Sequence, residues 1–131
     1  MDMQAFLDAM FEARAQTRSD YHLTLGGLIA QLKKLPADCV LSADMGWQPS
    51  HKLSSYRGYY SDLAIEPGAA TTAGKLLVTS KAALGATFEG YKGGNFLMSA
   101  KTPLWLSAYG IDSGVAIIGL DDTGRFLTKR L

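Results

Sequence analysis

The chain has 131 residues, of which 47% are hydrophobic and 19% are charged. This length predicts a single domain spanning residues 1–131, and the composition excludes a disordered chain. The net charge is +1, which argues against a general DNA or RNA binder, because such a protein needs a broad positive field. A small phosphorylated ligand needs only a few local cations and remains compatible with this charge.

The single cysteine, Cys39, excludes an internal disulfide, and its apolar neighbours predict a small buried side chain. A free thiol fits a reducing cytoplasm. The first residues have neither the basic nor the apolar region of a signal peptide. The longest apolar run, residues 115–120, is too short to cross a bilayer. We therefore expect neither secretion nor a membrane partner.

An amphipathic helix is predicted over residues 3–17, from the 3.6-residue spacing of its apolar positions. These positions are Phe6, Leu7, Met10, Phe11 and Ala13. The sheet of the same domain or a second subunit could cover this face. A membrane surface fits less well, since the polar face is acidic. Residues 1–20 are therefore a possible oligomerisation element.

Two further helices have clear start and stop signals. Thr24 predicts the N-cap of a helix that Pro36 ends, and Thr71 or Thr72 caps a helix that stops at Gly85. Residues 45–57 are predicted as a long loop, in which Trp47 and His51 could reach a ligand. Strands are predicted at residues 38–44, 59–65, 87–91, 95–98, 103–108, 114–120 and 125–130.

The order of these elements shows no regular β-α-β alternation. It predicts an α+β fold, with a mostly antiparallel β-sheet packed against two or three helices. A weak internal echo relates Thr24-x-Gly26-x-Leu28 and the later Tyr56-Arg57-Gly58 to Thr72-x-Gly74-x-Leu76 and the later Tyr91-Lys92-Gly93. The echo can be explained either by a duplication of part of the chain or by chance.

Two stretches carry the pattern Tyr-basic-Gly with further aromatic residues close by. They are Tyr56-Arg57-Gly58 and Tyr91-Lys92-Gly93. Aromatic rings can stack on a base, a cation can meet a phosphate, and glycine lets the main chain approach a ligand. The alternative is two strand ends whose tyrosines are half-buried and whose glycines only make turns.

The residues of common catalytic centres are sparse. The two histidines and one cysteine have no zinc-binding spacing, so no metal or cofactor is expected. His51 lies near serines in sequence, which is weak evidence for a catalytic triad. Binding without chemistry is the favoured function, and the alternatives are a small nucleotide-acting enzyme, such as a phosphodiesterase or glycohydrolase, and a protein-interaction module.

Residues 23–109 resemble a family of small bacteriophage proteins, the first-described Thoeris anti-defence sponges. The motifs that carry the resemblance are Thr-Leu-Gly-x-Leu-Ile from Thr24, Ser-Tyr-Arg-Gly-Tyr-Tyr-Ser-Asp-Leu-Ala from Ser55, Leu-Gly-x-Thr-Phe-x-Gly-Tyr-Lys-Gly-Gly from Leu84, and Thr-Pro-Leu-Trp from Thr102. The resemblance implies a viral protein in the cytoplasm of an infected bacterium, where it evades host immunity.

The resemblance further implies a nucleotide-binding protein that sequesters cyclic ADP-ribose isomers without cleaving them. Cyclic oligonucleotides are possible second ligands, and the assembly implied is a homo-oligomer, either a dimer or a trimer of dimers. The ligand-binding residues carried over from the matching motifs are Arg57, Tyr59, Phe88, Tyr91, Lys92 and Asn95. Arg125 is added because it begins the last predicted strand next to a turn.

We expect the protein to form at least a dimer, because the apolar face of residues 6–11 is larger than a terminal helix usually leaves bare. Light scattering at micromolar protein, with and without ligand, measures the mass. A monomeric mass in both conditions would refute the expectation.

Overall fold

The computed structural model describes residue 18, residues 20–108 and residues 111–131 of the chain. The predicted helix at residues 3–17 lies outside them. The described part contains helices α1 (Leu25–Lys34) and α2 (Ala73–Ala83) and a single-turn 3-10 helix at Asp44–Gly46. Its strands are β1 (Ser42–Ala43), β2 (Pro49–Tyr56), β3 (Tyr59–Pro67), β4 (Thr87–Glu89), β5 (Asn95–Leu97), β6 (Leu104–Ala108), β7 (Ile111–Leu120) and β8 (Arg125–Arg130).

Six strands form one sheet in the order β1-β8-β7-β6-β3-β2. The pairs β2–β3, β6–β7 and β7–β8 are antiparallel, whereas β1–β8 and β3–β6 are parallel. Strands β4 and β5 form a separate antiparallel hairpin. The α+β class and the mostly antiparallel pairing predicted from the sequence are confirmed.

The two faces of the large sheet bury different clusters, because successive side chains of a strand point to opposite sides. Leu63 and Ile65 of β3 belong to the main core, which also includes the apolar positions of α1 and α2. The opposite face carries a smaller buried cluster, formed by Tyr56, Ala64, Trp105 and Ala116. The sheet is thus buried on both faces, and its second face is where aromatic and charged side chains meet.

Both described helices begin at the threonines that the sequence indicates. The Thr24 hydroxyl accepts the Gly27 N–H at 3.1 Å, and the Thr72 hydroxyl accepts the Lys75 N–H at 3.4 Å. Each cap satisfies an N–H that has no partner inside its helix. Thr72 rather than Thr71 caps the second helix, and Thr71 is buried.

Two sequence predictions in the first half are wrong. The loop predicted at residues 45–57 is largely strand β2, and the strand predicted at residues 38–44 is reduced to Ser42–Ala43. Strand β2 lies at the sheet edge and has a polar sequence without clear alternation, so its pairing with β3 decides its conformation. Most of the shortening is at the start of the predicted strand, where residues 38–41 form only an isolated bridge, between Val40 and Thr72. After Ala43 the chain enters the 3-10 helix, in which Met45 adopts a positive φ of 61°.

The echo between the two helix starts corresponds to a repeated tertiary contact. The Gly26 N–H donates to the Ala100 carbonyl at 2.9 Å, and the Gly74 N–H donates to the Ala37 carbonyl at 3.0 Å. Both alanines lie in short loops that precede a strand, residues 98–103 and 35–41. The first turn of α1 therefore docks on the loop between β5 and β6, and the first turn of α2 docks on the loop between α1 and β1.

Further hydrogen bonds repeat at matching positions of the two docking sites. Leu25 N–H donates to Thr102 O where Ala73 N–H donates to Cys39 O, and Leu104 N–H donates to Leu23 O where Leu41 N–H donates to Thr71 O. Glycine is needed at both contacts, since a Cβ on Gly26 would lie 2.9 Å from the Ala100 oxygen and one on Gly74 would lie 3.0 Å from the Ala37 oxygen. The helix starts of the echo thus mark two equivalent positions in the fold. Its Tyr-basic-Gly stretches do not, because residues 56–58 join two strands of the six-stranded sheet and residues 91–93 lie in the separate β4–β5 hairpin.

We expect Gly26→Ala to destabilise the protein and Gly27→Ala to leave its stability unchanged or raise it. Alanine in a helix gains up to about 1 kcal/mol over glycine. At Gly26 the new methyl meets backbone and must displace the docking loop, whereas at Gly27 it meets the flexible end of Leu23 at 3.1 Å. Chemical denaturation of both variants measures the difference. Equal stabilities would contradict the assignment of Gly26 as a docking contact.

Candidate ligand-binding site

The two Tyr-basic-Gly stretches come together in the structure. Arg57 lies in the turn between β2 and β3, and Tyr91 lies in the turn between β4 and β5. The carbon at the centre of the Arg57 guanidinium is 3.4 Å from the centroid of the Tyr91 ring. This distance is that of a close cation–π contact. Residues 34 positions apart in sequence therefore form one surface.

Glycines bring the β4–β5 hairpin close to β3. Gly90 is buried, and a Cβ there would lie 2.8 Å from the Phe96 ring and 3.2 Å from the Tyr60 ring. Gly93 and Gly94 both have positive φ, which the tight turn requires. The rings of Tyr60 and Phe96 pack at 5.8 Å between centroids. This packing holds the Tyr91 turn beside Arg57.

The remaining hairpin residues divide between its two faces. Phe88 and Phe96 are paired across the hairpin and half-buried, so they share its inner face. Asn95 is exposed and lies opposite Glu89 on the outer face. Lys92 is exposed in the turn next to Tyr91. Phe88 and Asn95 therefore cannot contact the same side of a ligand bound on one face.

Phe88 lines an open cavity of about 440 Å³ between β2 and α2. The cavity is mostly apolar, and its polar lining residues are His51, Lys52 and Thr79. Its volume lies within the usual range for small-molecule sites, roughly 300–1,000 Å³. The structure thus gives Phe88 and His51, both singled out in the sequence, a shared cavity.

The tyrosines that flank Arg57 have a structural role on the second face of the sheet. Tyr56 is buried and stacks on Trp105, with centroids 4.4 Å apart and planes inclined by 5°, and its hydroxyl accepts the Gly114 N–H at 3.0 Å. Tyr59 is 43% exposed, and the Arg18 guanidinium lies 3.9 Å from its ring centroid. Tyr56 therefore fits the alternative of a tyrosine packed at a strand end better than it fits a ligand contact, and it is buried rather than half-buried.

Asp62 is the centre of a buried polar network beneath these rings. Its carboxylate accepts two hydrogen bonds from Arg18, at 2.6 and 3.0 Å, and one from the Trp105 indole N–H at 2.8 Å. The Asp62 side chain is fully buried, and that of Arg18 is 9% exposed. A buried carboxylate with three such donors is satisfied and held in place. The network fixes the strand that leads out of the Arg57 turn.

His22 packs on the edge of Trp105, with ring centroids 4.5 Å apart. Its Nδ1 lies 2.9 Å from the Leu104 carbonyl, which can only accept, so Nδ1 carries the proton. Nε2 is buried without a hydrogen-bond partner among the described residues. Burial lowers the pKa of His22, because a charged imidazolium would lose its hydration, and this exceeds the opposing effect of the Leu104 hydrogen bond.

Arg125 begins β8, whereas Arg57 follows β2, at the opposite side of the sheet order. Both turns extend from the same end of the sheet, but four strand spacings of about 4.8 Å separate them within one chain. The Thr123 hydroxyl and the Arg125 N–H donate to Asp121, and these hydrogen bonds lower the pKa of that carboxyl. One chain therefore does not bring Arg125 together with Arg57.

Sequence reasoning missed Lys52 in the cavity and the buried pair of Arg18 and Asp62. The place of Lys52 in the cavity was missed because residues 45–57 were predicted as a loop. A carboxylate inside a strand of otherwise apolar residues, as in Asp62-Leu63-Ala64-Ile65, is the signal that could have indicated a buried ion pair.

The described residues contain no group of three or more histidine, cysteine or acidic side chains able to hold a metal ion. Among these same residues, none of the helices has the length and hydrophobicity needed to span a bilayer.

No protein-family model matches the chain, and no curated protein or solved structure matches it either. The residues of the site and the motifs of the sequence are therefore what points to a function.

We expect the melting temperature to fall as the pH drops through and below about 6.5, the ordinary pKa of histidine. The pKa of His22 in the folded protein lies below this value. As the pH falls below 6.5, the unfolded chain therefore takes up a proton before the folded protein does, and unfolding becomes more favourable. Above pH 6.5 the contribution of His22 to stability is fully present. His22→Gln should flatten the pH dependence of the melting temperature, because the side chain that titrates is removed. Equal slopes for parent and His22→Gln between about pH 7.5 and 5.5 would contradict this assignment.

Proposed function

We propose that the protein binds and sequesters a small nucleotide-derived signal of the cyclic ADP-ribose type without cleaving it. The observation that carries the proposal is the contact of Arg57 with Tyr91, since it joins the two Tyr-basic-Gly stretches into one surface. Lys92 adds a second exposed cation beside this contact. Two cations and an exposed ring match the charge and the flat base of such a ligand.

Preorganisation supports the role of Arg57 in holding a diphosphate. Stacking on Tyr91 fixes the plane of the guanidinium, and a fixed fork loses less entropy when it donates to phosphate oxygens. The turn rests on a strand that the Asp62 network anchors at its buried side. A rigidly held cation is what tight capture at low ligand concentration requires.

The cavity lined by Phe88, a residue of the same hairpin as Tyr91, gives the base a place to bind. Phe88, Lys52 and His51 all line this cavity. A base stacked on Phe88 would lie on the inner side of the β4–β5 hairpin, with the phosphates directed toward the turn that carries Lys92. Asn95 lies on the outer face of the hairpin, so it would contact a ligand only if that ligand were bound to a second subunit. The sequence motifs that resemble phage Thoeris sponges support the same ligand class and the same setting, the cytoplasm of an infected bacterium.

The nature of the activity is tested by incubating the protein with a cyclic ADP-ribose isomer, removing free ligand, and heating the complex to release what was bound. Recovery of intact ligand supports sequestration. Recovery of a cleaved product would instead support a nucleotide-acting enzyme, with His51 as the exposed histidine of the cavity. Failure to retain any ligand would favour a protein-interaction module.

We expect Arg57→Ala to weaken ligand binding by roughly 1.5–3 kcal/mol, because a charge-assisted hydrogen bond to the ligand is lost. The melting temperature of the free protein should change little. Arg57→Lys should restore only part of the affinity, since a point charge cannot donate to two oxygens as a fork does. Calorimetric titration measures both variants. Arg125→Ala is the matched control: a loss equal to that of Arg57→Ala would show that a second subunit completes the site.

Phe88→Ala should weaken binding by roughly 1–3 kcal/mol, the value of stacking a base on an aromatic ring. Because Phe88 also packs against the main core, some loss of stability is expected as well. Phe88→Leu keeps most of the apolar volume but removes the ring, so it should bind weakly while melting near the parent temperature. Parent-like binding by Phe88→Leu would assign Phe88 to the core alone.

A further inference from the structure

A second and smaller cavity lies beneath the connection between β1 and β2. Its volume is about 210 Å³. The connection contributes Met45 and Trp47 to its wall, and the facing sheet contributes Leu106, Val115, Thr128 and Arg130. These residues come from strands β6, β7 and β8, whereas the site proposed above is built on β2, β3 and the β4–β5 hairpin. The two cavities share no lining residue.

The size of the smaller cavity selects a small ligand. A volume of 210 Å³ is below the range of roughly 300–1,000 Å³ that holds drug-sized ligands. A nucleotide diphosphate would not fit, but an organic acid with a single ring or a short branched chain would. The cavity therefore does not duplicate the proposed nucleotide site.

The positive charge at the cavity favours an anionic ligand. Arg130 is its only charged lining residue, and within the described part of the chain no carboxylate lies within 4.0 Å of its guanidinium. The nearby Asp44 carboxylate is already engaged by the Thr128 hydroxyl and by the Thr128 N–H, the latter at 3.0 Å. An arginine without an ionic partner at the mouth of an apolar cavity matches a carboxylate with an apolar body.

Trp47 supplies a second reason to expect a ligand oxygen. Its indole Nε1 is buried and has no hydrogen-bond acceptor among the described residues. Buried donors are nearly always satisfied in folded proteins, so an unsatisfied one in a cavity wall calls for an explanation. A bound carboxylate offers two oxygens, one for Arg130 and one for the indole.

The backbone beside Trp47 is strained. Met45 has a φ of 61°, and Gly46 follows with 73°. A methionine in this region costs free energy, and such strain concentrates at ligand-binding segments. Met45 is also 67% exposed, so its conformation is not the result of burial in the core.

We infer that this cavity binds a small organic monocarboxylate with a flat or branched apolar body. The carboxylate pairs with Arg130, the apolar body packs between Met45 and the Leu106–Val115 wall, and the Trp47 indole turns to donate to the second oxygen. This binding is independent of the proposed nucleotide site and does not require it.

The test titrates the protein with benzoate and, in parallel, with benzamide, which has the same shape and no charge. Backbone amide resonances report where binding occurs, and tryptophan fluorescence reports movement of Trp47. The variants are Arg130→Gln and its matched control Lys129→Gln, an exposed neighbour on the other side of β8. Trp47→Phe assigns the fluorescence change, since the chain's other tryptophan, Trp105, is buried in the Asp62 network.

We expect benzoate to bind with a dissociation constant below about 10 mM and to shift the resonances of residues 45–47 and 113–115. Arg130→Gln should weaken binding by about tenfold or more, and Lys129→Gln by less than about twofold. No saturable benzoate binding, equal binding of benzamide, resonance shifts confined to other residues, or equal losses in both variants would each overturn the inference. The comparison with benzamide needs no variant, so it stands even if Arg130→Gln were to fold poorly.

Discussion

The buried carboxylate of Asp62 is the constraint on which the second face of the sheet depends. It must be paired to be buried at all, and Arg18 and Trp105 supply the donors from two distant parts of the chain. Removing one partner from such a pair typically costs roughly 3–5 kcal/mol. Trp105 in turn provides the surface on which Tyr56 stacks, so the network sets the position of the strand ends that carry Arg57. The exposed surface around Arg57 thus depends on the buried hydrogen bonds of Asp62.

The elements with local signals were predictable from the sequence, and those fixed by distant pairing were not. Thr24 and Thr72 carry their capping chemistry in their own side chains. The start of the first helix was therefore predicted correctly, and that of the second was predicted to within the choice between Thr71 and Thr72. Strand β2 has no such signal, because its polar residues become a strand only by pairing with β3. The parallel contact between β3 and β6 joins residues about 40 positions apart, and no local pattern predicts a pairing of that kind.

The candidate site was predictable in part for the same reason. Repetition of Tyr-basic-Gly singled out Arg57 and Tyr91, which the structure places in contact. Sequence position could not show that Phe88 and Asn95 lie on opposite faces of one hairpin, since this depends on the pairing register. It also could not show that Arg125 lies across the sheet from Arg57, because that follows from the strand order. Residue chemistry can be predicted from sequence, but the side from which a residue acts depends on topology.

The repeated docking of the helix starts has a consequence for the origin of the fold. The first turn of α1 binds the loop that leads into β6, while the first turn of α2 binds the loop that leads into β1, with matching hydrogen bonds. Reciprocal contacts of this form are the mark of an isologous interface between identical subunits. A chain of half this length could make the same contacts only by pairing with a second copy of itself. The present domain therefore resembles such a two-fold pair fused into one polypeptide, with the β4–β5 hairpin, and with it Tyr91, found in the second half alone.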